Sequence, residues 1–198
     1  IDAEKVERYG VEKYLKEVDG IIVPIGWGSR GTEGMIQSAS YARTHTIPYL
    51  GLCYGMQLAV VAFARDVLGY KDAHTTEVNS KTTHPVIHLM DQQVPFMKRR
   101  AYGGTMRLGA WVARVKKNTY TWDIYEKQNN FINKEKGLIS ERHRHRYEFN
   151  NKYTSDFEKS GLIISARSQK EKLVEIIELS PTVHPFYIGT QGHPEYCS

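Results

Sequence analysis

The stretch PYLGLCYGMQLAVVAFARDVLG, residues 48–69, contains the transition from a short apolar run to a helical pattern. Residues 49–52 are typical of a buried strand, and apolar side chains then recur at helical spacing from Met56 to Val67. Cys53 lies between the two segments, so the pattern predicts a cysteine at a strand-to-helix corner. Repeated strand-helix units of this kind favour an α/β fold with a parallel sheet.

The rest of the chain extends this pattern. The run GIIVP (20–24) predicts a strand and TEGMIQSASYART (32–44) a helix, whereas residues 116–136 are polar and are expected to be irregular. Further candidate strands are HPVIHLM, AWVARV, LIISARS, KLVEIIELS and FYIGTQG. We therefore predict an α/β domain in which a central, mostly parallel sheet is flanked by helices. Residues 78–109 show no clear period.

Length, charge and cysteine content narrow the class of protein. A chain of 198 residues with 40% hydrophobic content fits one domain with one core. No segment approaches the roughly 18 apolar residues of a membrane span, and the first ten residues lack a secretion-signal pattern. The two cysteines, Cys53 and Cys197, form no disulfide framework and no zinc spacing. Unpaired, reduced thiols suit the cytosol, so we expect a cytoplasmic protein. A net charge of +5 is too small and diffuse to indicate nucleic-acid binding.

The segment GLCYG (51–55) has the form of a nucleophile elbow, G-x-S-x-G, with sulfur in place of oxygen. This turn predicts a strained, exposed Cys53 whose pKa is lowered by the following helix N-terminus. It also predicts that the amide of Tyr54 faces a developing oxyanion. A small buried apolar cysteine is the alternative, and this motif alone leaves both interpretations open.

A candidate base lies near the end of the chain, in the segment HPE (193–195). On an extended segment residues i and i+2 share one side, so Glu195 is expected to accept a hydrogen bond from the imidazole of His193. Together with Cys53 these residues predict a Cys-His-Glu triad at the C-terminal edge of the sheet. Without Cys53, a turn with a surface carboxylate would be the better interpretation of HPE.

The motif GLCYGMQ with a distant HPE resembles the class I (triad) glutamine amidotransferases, whose architecture is flavodoxin-like. Five further stretches are similar to the glutaminase domains of the CTP synthase family: GWGSRGTEG, YARTHTIPYLGLCYGMQLAVVAFARDVLG, TTE (75–77), GGTMRLG and SERHRHRYEFNN. The resemblance runs through nearly the whole chain. It implies hydrolysis of glutamine through a cysteinyl thioester.

The resemblance assigns Cys53 as nucleophile, His193 as acid and base, and Glu195 as the group that orients the imidazole. It implies a glutamine site formed by Gly26, Tyr54, Gln57, Glu77 and Arg146, with the amides of Gly26 and Tyr54 as the oxyanion hole. A carboxylate suits the α-ammonium of glutamine, and a guanidinium suits its α-carboxylate. In the alternating segment 142–146, the arginines are expected on one face of a strand and the histidines on the other.

Two positions depart from the family pattern. The loop Pro24–Gly28 aligns with P-G-G-F-G, and Ile25 replaces a glycine, which is expected to restrict rearrangement of the loop. Gly192 stands where the family usually has an aromatic residue, which is expected to loosen the packing against His193.

The resemblance also implies a larger enzyme. No G-x-x-x-x-G-K-[ST] loop occurs, so we expect residues 1–198 to be a glutaminase domain without cofactor or metal. An N-terminal synthetase domain of the same polypeptide would receive the ammonia and convert UTP to CTP with ATP, Mg and GTP, in a homo-oligomer expected to be a tetramer. We expect no membrane or nucleic-acid partner.

Two alternatives come from other classes of function. One is a metal-binding module formed by His143, His145, His193 and Glu195, which metal analysis would reveal. The other is a catalytically silent regulatory domain, suggested by Ile25 and Gly192 and distinguished by covalent labelling of Cys53.

Overall fold

The computed structural model describes residues 1–90, 106–170 and 172–196. The α-helices in these ranges are α1 (Ala3–Tyr9), α2 (Glu12–Leu15), α3 (Thr32–Thr44), α4 (Tyr54–Asp66), α5 (Tyr120–Lys127) and α6 (Thr154–Lys159). The strands are β1 (Ile21–Val23), β2 (Tyr49–Leu52), β3 (His74–Thr75), β4 (Pro85–Leu89), β5 (Arg107–Val115), β6 (Leu138–His145), β7 (Tyr147–Phe149), β8 (Ile163–Ser168), β9 (Val174–Glu178) and β10 (Tyr187–Thr190). The short 3₁₀ helices are Asn151–Tyr153 and Pro194–Tyr196. Cys197 and the first three residues of GGTMRLG, 103–105, lie outside the described residues.

The large sheet has the strand order β1-β2-β10-β9-β8-β5-β6, and β3, β4 and β7 form a second, smaller sheet. The predicted α/β class is confirmed, but the large sheet is mixed rather than mostly parallel. Parallel pairing is confined to β1, β2 and β10, and the other four pairs of the large sheet are antiparallel. The connection from Ser168 to Val174 shows the reason, because it is too short for the crossover that parallel neighbours require.

Helix α4 lies between the two sheets, so residues 54–64 are buried on every side. Two glycines of GLCYG allow this close packing. A Cβ on Gly55 would lie 2.1 Å from the carbonyl oxygen of Val23 in β1, and a Cβ on Gly51 would lie 2.7 Å from the backbone of Gly55. These glycines therefore bring the helix close to the strands that carry the site.

The expectation of an irregular region at 116–136 is wrong, because it contains helix α5. The helix begins with the Thr119 side chain accepting from the Trp122 amide at 3.2 Å. Glu178 of the distant strand β9 accepts from the amides of Tyr120 and Thr121 at 2.7 and 2.8 Å. The Thr119 cap is a local signal that the sequence analysis missed, whereas the cap supplied from β9 leaves none in the sequence of α5.

Strand β6 shows the predicted alternation. His143 and His145 are buried, whereas Arg142 and Arg144 are exposed. No helix in the described part of the chain is both long enough and apolar enough to cross a membrane.

Candidate active site

Cys53 follows β2 directly and precedes the first residue of α4, as the sequence predicts. Its φ of 52° lies in the left-handed region, where a residue with a side chain is strained by about 1–3 kcal/mol. Its amide donates to the carbonyl of Thr190 in β10 at 2.7 Å, which ties the corner to the neighbouring strand. The strain is therefore as predicted, but the residue is buried rather than exposed.

His193 lies at the same edge of the sheet as Cys53, because β10 runs parallel to β2 with Thr190 opposite Leu52. Its Nδ1 is 2.7 Å from Oε1 of Glu195, so the predicted contact is present. It forms through the 3₁₀ turn Pro194–Tyr196 rather than along an extended segment. The imidazole stacks on Tyr196 at 4.8 Å, and its Nε2 is buried without a hydrogen-bond partner in the described residues.

The expectation of a lowered cysteine pKa is wrong. Burial raises the pKa of the Cys53 thiol to about 12, although hydrogen bonds from the Tyr54 amide and the Gln191 side chain act in the opposite direction. Desolvation of the sulfur therefore outweighs the helix N-terminus. At neutral pH the thiol is protonated, and a base must remove its proton before attack.

A cavity of about 330 Å³ opens beside the sulfur and brings the predicted glutamine-site residues together. Its lining includes Cys53 and all five predicted residues: Gly26, Tyr54, Gln57, Glu77 and Arg146. Trp27, His145 and Tyr147 also line it. A carboxylate and a guanidinium thus face one cavity of a size that accommodates an amino acid. Their roles toward glutamine remain predictions.

The loop 24–28 is held in place through Gly28. The Gly28 carbonyl accepts from the Tyr54 hydroxyl at 2.6 Å and from the Thr32 hydroxyl at 2.9 Å. Its amide donates to Oε1 of Glu77 at 3.2 Å, and burial raises the pKa of that carboxyl. A Cβ on Gly26 would lie 2.9 Å from the Tyr54 ring, so glycine is required at that position. The sequence gives no signal for the contact of Thr32 with this loop.

Gln57 is buried, and its amide nitrogen is fully used inside the protein. The Nε2 atom donates to the Tyr147 carbonyl at 2.8 Å and to Oε1 of Gln191 at 3.2 Å. Only its oxygen therefore remains to contact a ligand. Gln191 in turn donates from Nε2 to the sulfur of Cys53 at 3.4 Å. The sequence analysis did not identify Gln191.

Gly192 does not leave the expected gap beside the histidine. A Cβ on Gly192 would lie only 2.8 Å from Cβ of Glu141, so the Glu141 side chain occupies this space. The Tyr125 hydroxyl donates to Glu141 at 2.7 Å and fixes the carboxylate. The expectation of loose packing is therefore wrong, since a side chain of β6 fills the space.

The two histidines of β6 belong to a buried network with Arg107 and Glu175. Arg107 donates to Oε1 of Glu175 at 2.6 Å, and its other amino group lies 3.5 Å from Nε2 of His145. His143 Nδ1 lies 3.1 Å from the same Nε2. Burial and the Arg107 cation lower the pKa of His145 to about 3. In the described residues, no group of three or more His, Cys, Asp or Glu side chains is placed to hold a metal ion.

Comparisons with known proteins identify the family of the chain. The family model described as glutamine amidotransferase class-I matches residues 1–198. CTP synthases of Flavobacterium johnsoniae and a Hydrogenobaculum species are 46% and 50% identical over the whole chain. The chain spans about a third (34%) of the length of these curated relatives.

Solved structures give the same result for the fold. The glutaminase domain of Trypanosoma brucei CTPS with bound acivicin is 36% identical, with a TM-score of 0.84, over 100% of this chain and 72% of that one. A glutamine amidotransferase of Thermotoga maritima shares the fold at 12% identity and a TM-score of 0.52, over 96% of this chain and 61% of that one.

Proposed function

Because the chain belongs to the class I glutamine amidotransferases, we propose that it hydrolyses L-glutamine to glutamate and ammonia with Cys53, His193 and Glu195. One observation carries the proposal. His193 is oriented by Glu195 through Nδ1, and its Nε2 is buried without a partner at the sheet edge that holds Cys53. A buried imidazole nitrogen without a hydrogen-bond partner is suited to accept a proton as a general base.

The proposed reaction starts from the protonated thiol of Cys53. As the sulfur attacks the carboxamide carbon of glutamine, the Sγ proton passes to Nε2 of His193. The amides of Gly26 and Tyr54 stabilise the oxyanion, and the imidazolium then protonates the amino group, which leaves as ammonia when the C–N bond breaks. A glutamyl thioester remains on Cys53. His193 next removes a proton from water, which attacks the thioester, and proton return to the sulfur releases glutamate and the free thiol.

Three charged side chains line the cavity, Glu77, Arg144 and Arg146, and we assign recognition of glutamine to Glu77 and Arg146. Glu77 is suited to the α-ammonium group, and Arg146 is suited to the α-carboxylate. The oxygen of Gln57 is available for one more hydrogen bond, because its nitrogen is already used. An ammonium group at Glu77 would compete with the Gly28 amide for the carboxylate. Substrate binding is therefore coupled to the loop 24–28.

The length of the relatives leaves room for a second domain that would use the ammonia. The matched CTP synthases are about three times as long as this chain, which covers 34% of their length. We propose that residues 1–198 work with a synthetase domain of the same polypeptide, where ATP-dependent amination of UTP yields CTP, and that the full-length enzyme also uses Mg and GTP. The assembly is expected to be a cytoplasmic homotetramer.

Covalent labelling tests the glutaminase proposal. Acivicin is the probe, because it is bound in the glutaminase domain of the T. brucei relative. We expect it to modify Cys53, to leave Cys197 largely unmodified, and to be displaced by excess glutamine; Cys53→Ala should abolish glutamate release. Peptide mass spectrometry decides between the two cysteines, and modification mainly at Cys197 would contradict the assignment.

Nucleotides test the link to a synthetase domain. Glutamate release is measured with and without ATP, UTP and GTP, for this chain and for the full-length enzyme. The chain alone is expected to be slow and indifferent to nucleotides, and the full-length enzyme is expected to respond to them and to form CTP. A full-length glutaminase that ignored nucleotides would refute the coupling and leave the triad standing.

A further inference from the structure

The side-chain amide of Gln191 has only one orientation that satisfies its neighbours. The Tyr147 carbonyl can only accept, so the group of Gln57 that faces it at 2.8 Å must be the amino group. The same amino group faces Gln191 at 3.2 Å and therefore requires the Gln191 oxygen there. This arrangement turns Nε2 of Gln191 toward the sulfur of Cys53, 3.4 Å away.

The position of Gln191 is fixed as firmly as its orientation. The residue is fully buried, and its backbone amide donates to the Glu175 carbonyl of β9 at 2.7 Å. It directly follows β10, whose Thr190 carbonyl accepts from the Cys53 amide. The donor and the sulfur are therefore held by adjacent strands, and little conformational freedom is lost when they interact.

We propose that Gln191 is a further catalytic residue, which donates a hydrogen bond from Nε2 to Sγ of Cys53 and stabilises the thiolate at the moment of attack. The proposal rests on the proposed glutaminase function. When the Sγ–H bond breaks, the proton passes to Nε2 of His193, and the electron pair stays on sulfur until it forms the bond to the carboxamide carbon. Gln191 loses no proton; its hydrogen bond strengthens as negative charge develops.

The surroundings of the sulfur explain why this donor matters. Burial disfavours the thiolate, and among the described residues the Tyr54 amide and the Gln191 side chain are the hydrogen-bond donors that favour it. The Tyr54 amide is assigned to the oxyanion once the tetrahedral intermediate forms. The side chain of Gln191 then remains as the donor to sulfur while the thioester collapses and re-forms the thiol.

Alkylation kinetics test the proposal without requiring glutamine. Gln191→Met preserves length and volume but removes the donor, and Gln169→Met, at an exposed position, is the control. The rate of Cys53 alkylation by iodoacetamide is measured from pH 7 to 10 in a Cys197→Ser background. A hydrogen bond to a charged group is worth about 1.5–3 kcal/mol, so we expect Gln191→Met to slow alkylation about tenfold or more, with the control unchanged.

A second measurement on the unmodified side chain guards against a misfolded variant. We expect the ¹⁵N side-chain amide signal of Gln191 to move when Cys53 is alkylated and when it is replaced in Cys53→Ala. A folded Gln191→Met protein with the parent alkylation rate, or an amide signal indifferent to both changes at Cys53, would overturn the proposal. Absence of glutamine turnover and of acivicin labelling would instead refute the glutaminase function, because iodoacetamide reports on the thiol alone.

Discussion

His193 and Glu195 form a hydrogen bond of 2.7 Å in which the imidazole is completely buried while the carboxylate is about one-third (32%) exposed. The contact lies within a single 3₁₀ turn, and the ring of Tyr196 covers one face of the imidazole. The carboxylate thus engages Nδ1 and leaves Nε2 as the ring nitrogen without a partner in the described residues.

Glu195→Gln is expected to lower kcat for glutamine by at least about tenfold, because it replaces a charge-assisted hydrogen bond worth about 1.5–3 kcal/mol. The KM should change little, since the carboxylate does not line the cavity. Steady-state glutamate release measures both constants. Glu135→Gln, at an exposed position, is the matched control and should retain the parent kcat. A variant with the parent kcat would remove Glu195 from the triad.

Arg146→Ala is expected to raise the KM for glutamine by about tenfold or more, because the α-carboxylate loses its charged partner. Alkylation of Cys53 by iodoacetamide should continue at the parent rate. Arg142→Ala is the control, since this side chain is on the exposed face of the same strand region. Equal glutamine saturation in both variants would exclude Arg146 from the substrate site.

Tyr54→Phe and Thr32→Val each remove one hydroxyl donor from the Gly28 carbonyl. A neutral hydrogen bond contributes about 0.5–1.5 kcal/mol, so each change should lower kcat about two- to tenfold by loosening the loop 24–28. Thr32→Ser retains a hydroxyl and should recover most of the rate. Full activity in the double variant would show that these hydroxyls do not position the loop.

Gly192→Ala is expected to destabilise the fold by about 1–3 kcal/mol, because its Cβ would overlap Glu141. Thermal unfolding of the single variants and of Gly192→Ala combined with Glu141→Ala forms a double-mutant cycle. The second change should recover part of the loss. Additive effects in the cycle would mean that the two residues do not interact.

The lowered pKa of His145 leads us to expect a loss of stability in mild acid. The folded state holds its pKa near 3, whereas the unfolded chain has the ordinary value near 6.5, because burial, Arg107, and His193 at longer range all disfavour the imidazolium. Below pH 6.5 the unfolded state therefore binds a proton that the folded state does not. The stabilisation is complete above pH 6.5 and falls by about 1.4 kcal/mol per pH unit as the pH decreases toward 3.

Denaturant titration at several pH values measures this slope. His145→Asn removes one titrating group, so the slope should fall by the contribution of one proton, about 1.4 kcal/mol per pH unit. His45→Asn, at an exposed position, should leave the slope unchanged. Identical slopes in His145→Asn and the parent chain would show that another group causes the acid sensitivity.

Local patterns predicted the parts of the site that depend on local backbone. The corner at Cys53 follows from an apolar run joined to a helical period. The contact of His193 with Glu195 was predicted from their closeness in sequence, although a 3₁₀ turn and not an extended segment forms it. Gln191 directly follows the predicted strand FYIGT, so its position is local. Its role depends, however, on Gln57 and Tyr147, which are distant in sequence.

The remaining differences have a common physical cause in long-range structure. The cysteine pKa follows from burial by elements that the sequence of the corner does not contain. Helix α5 is capped by Glu178 from β9, and Glu141 from β6 fills the space beside Gly192. Each of these features arises between strands whose order in the sheet is not readable from local periodicity.

The Tyr147 carbonyl accepts from both Nδ1 of His145 and Nε2 of Gln57. This oxygen atom therefore links the buried network of Arg107 to the side chains of Gln57 and Gln191. Gln191 in turn contacts the sulfur of Cys53. A single replacement at any of these buried positions leaves a neighbouring donor or acceptor without its partner, at a cost of about 1–3 kcal/mol. Natural variation here should therefore be epistatic. Substitutions would persist in compensating pairs, so a homologue that differs at position 57 should differ at 191 or 145 as well.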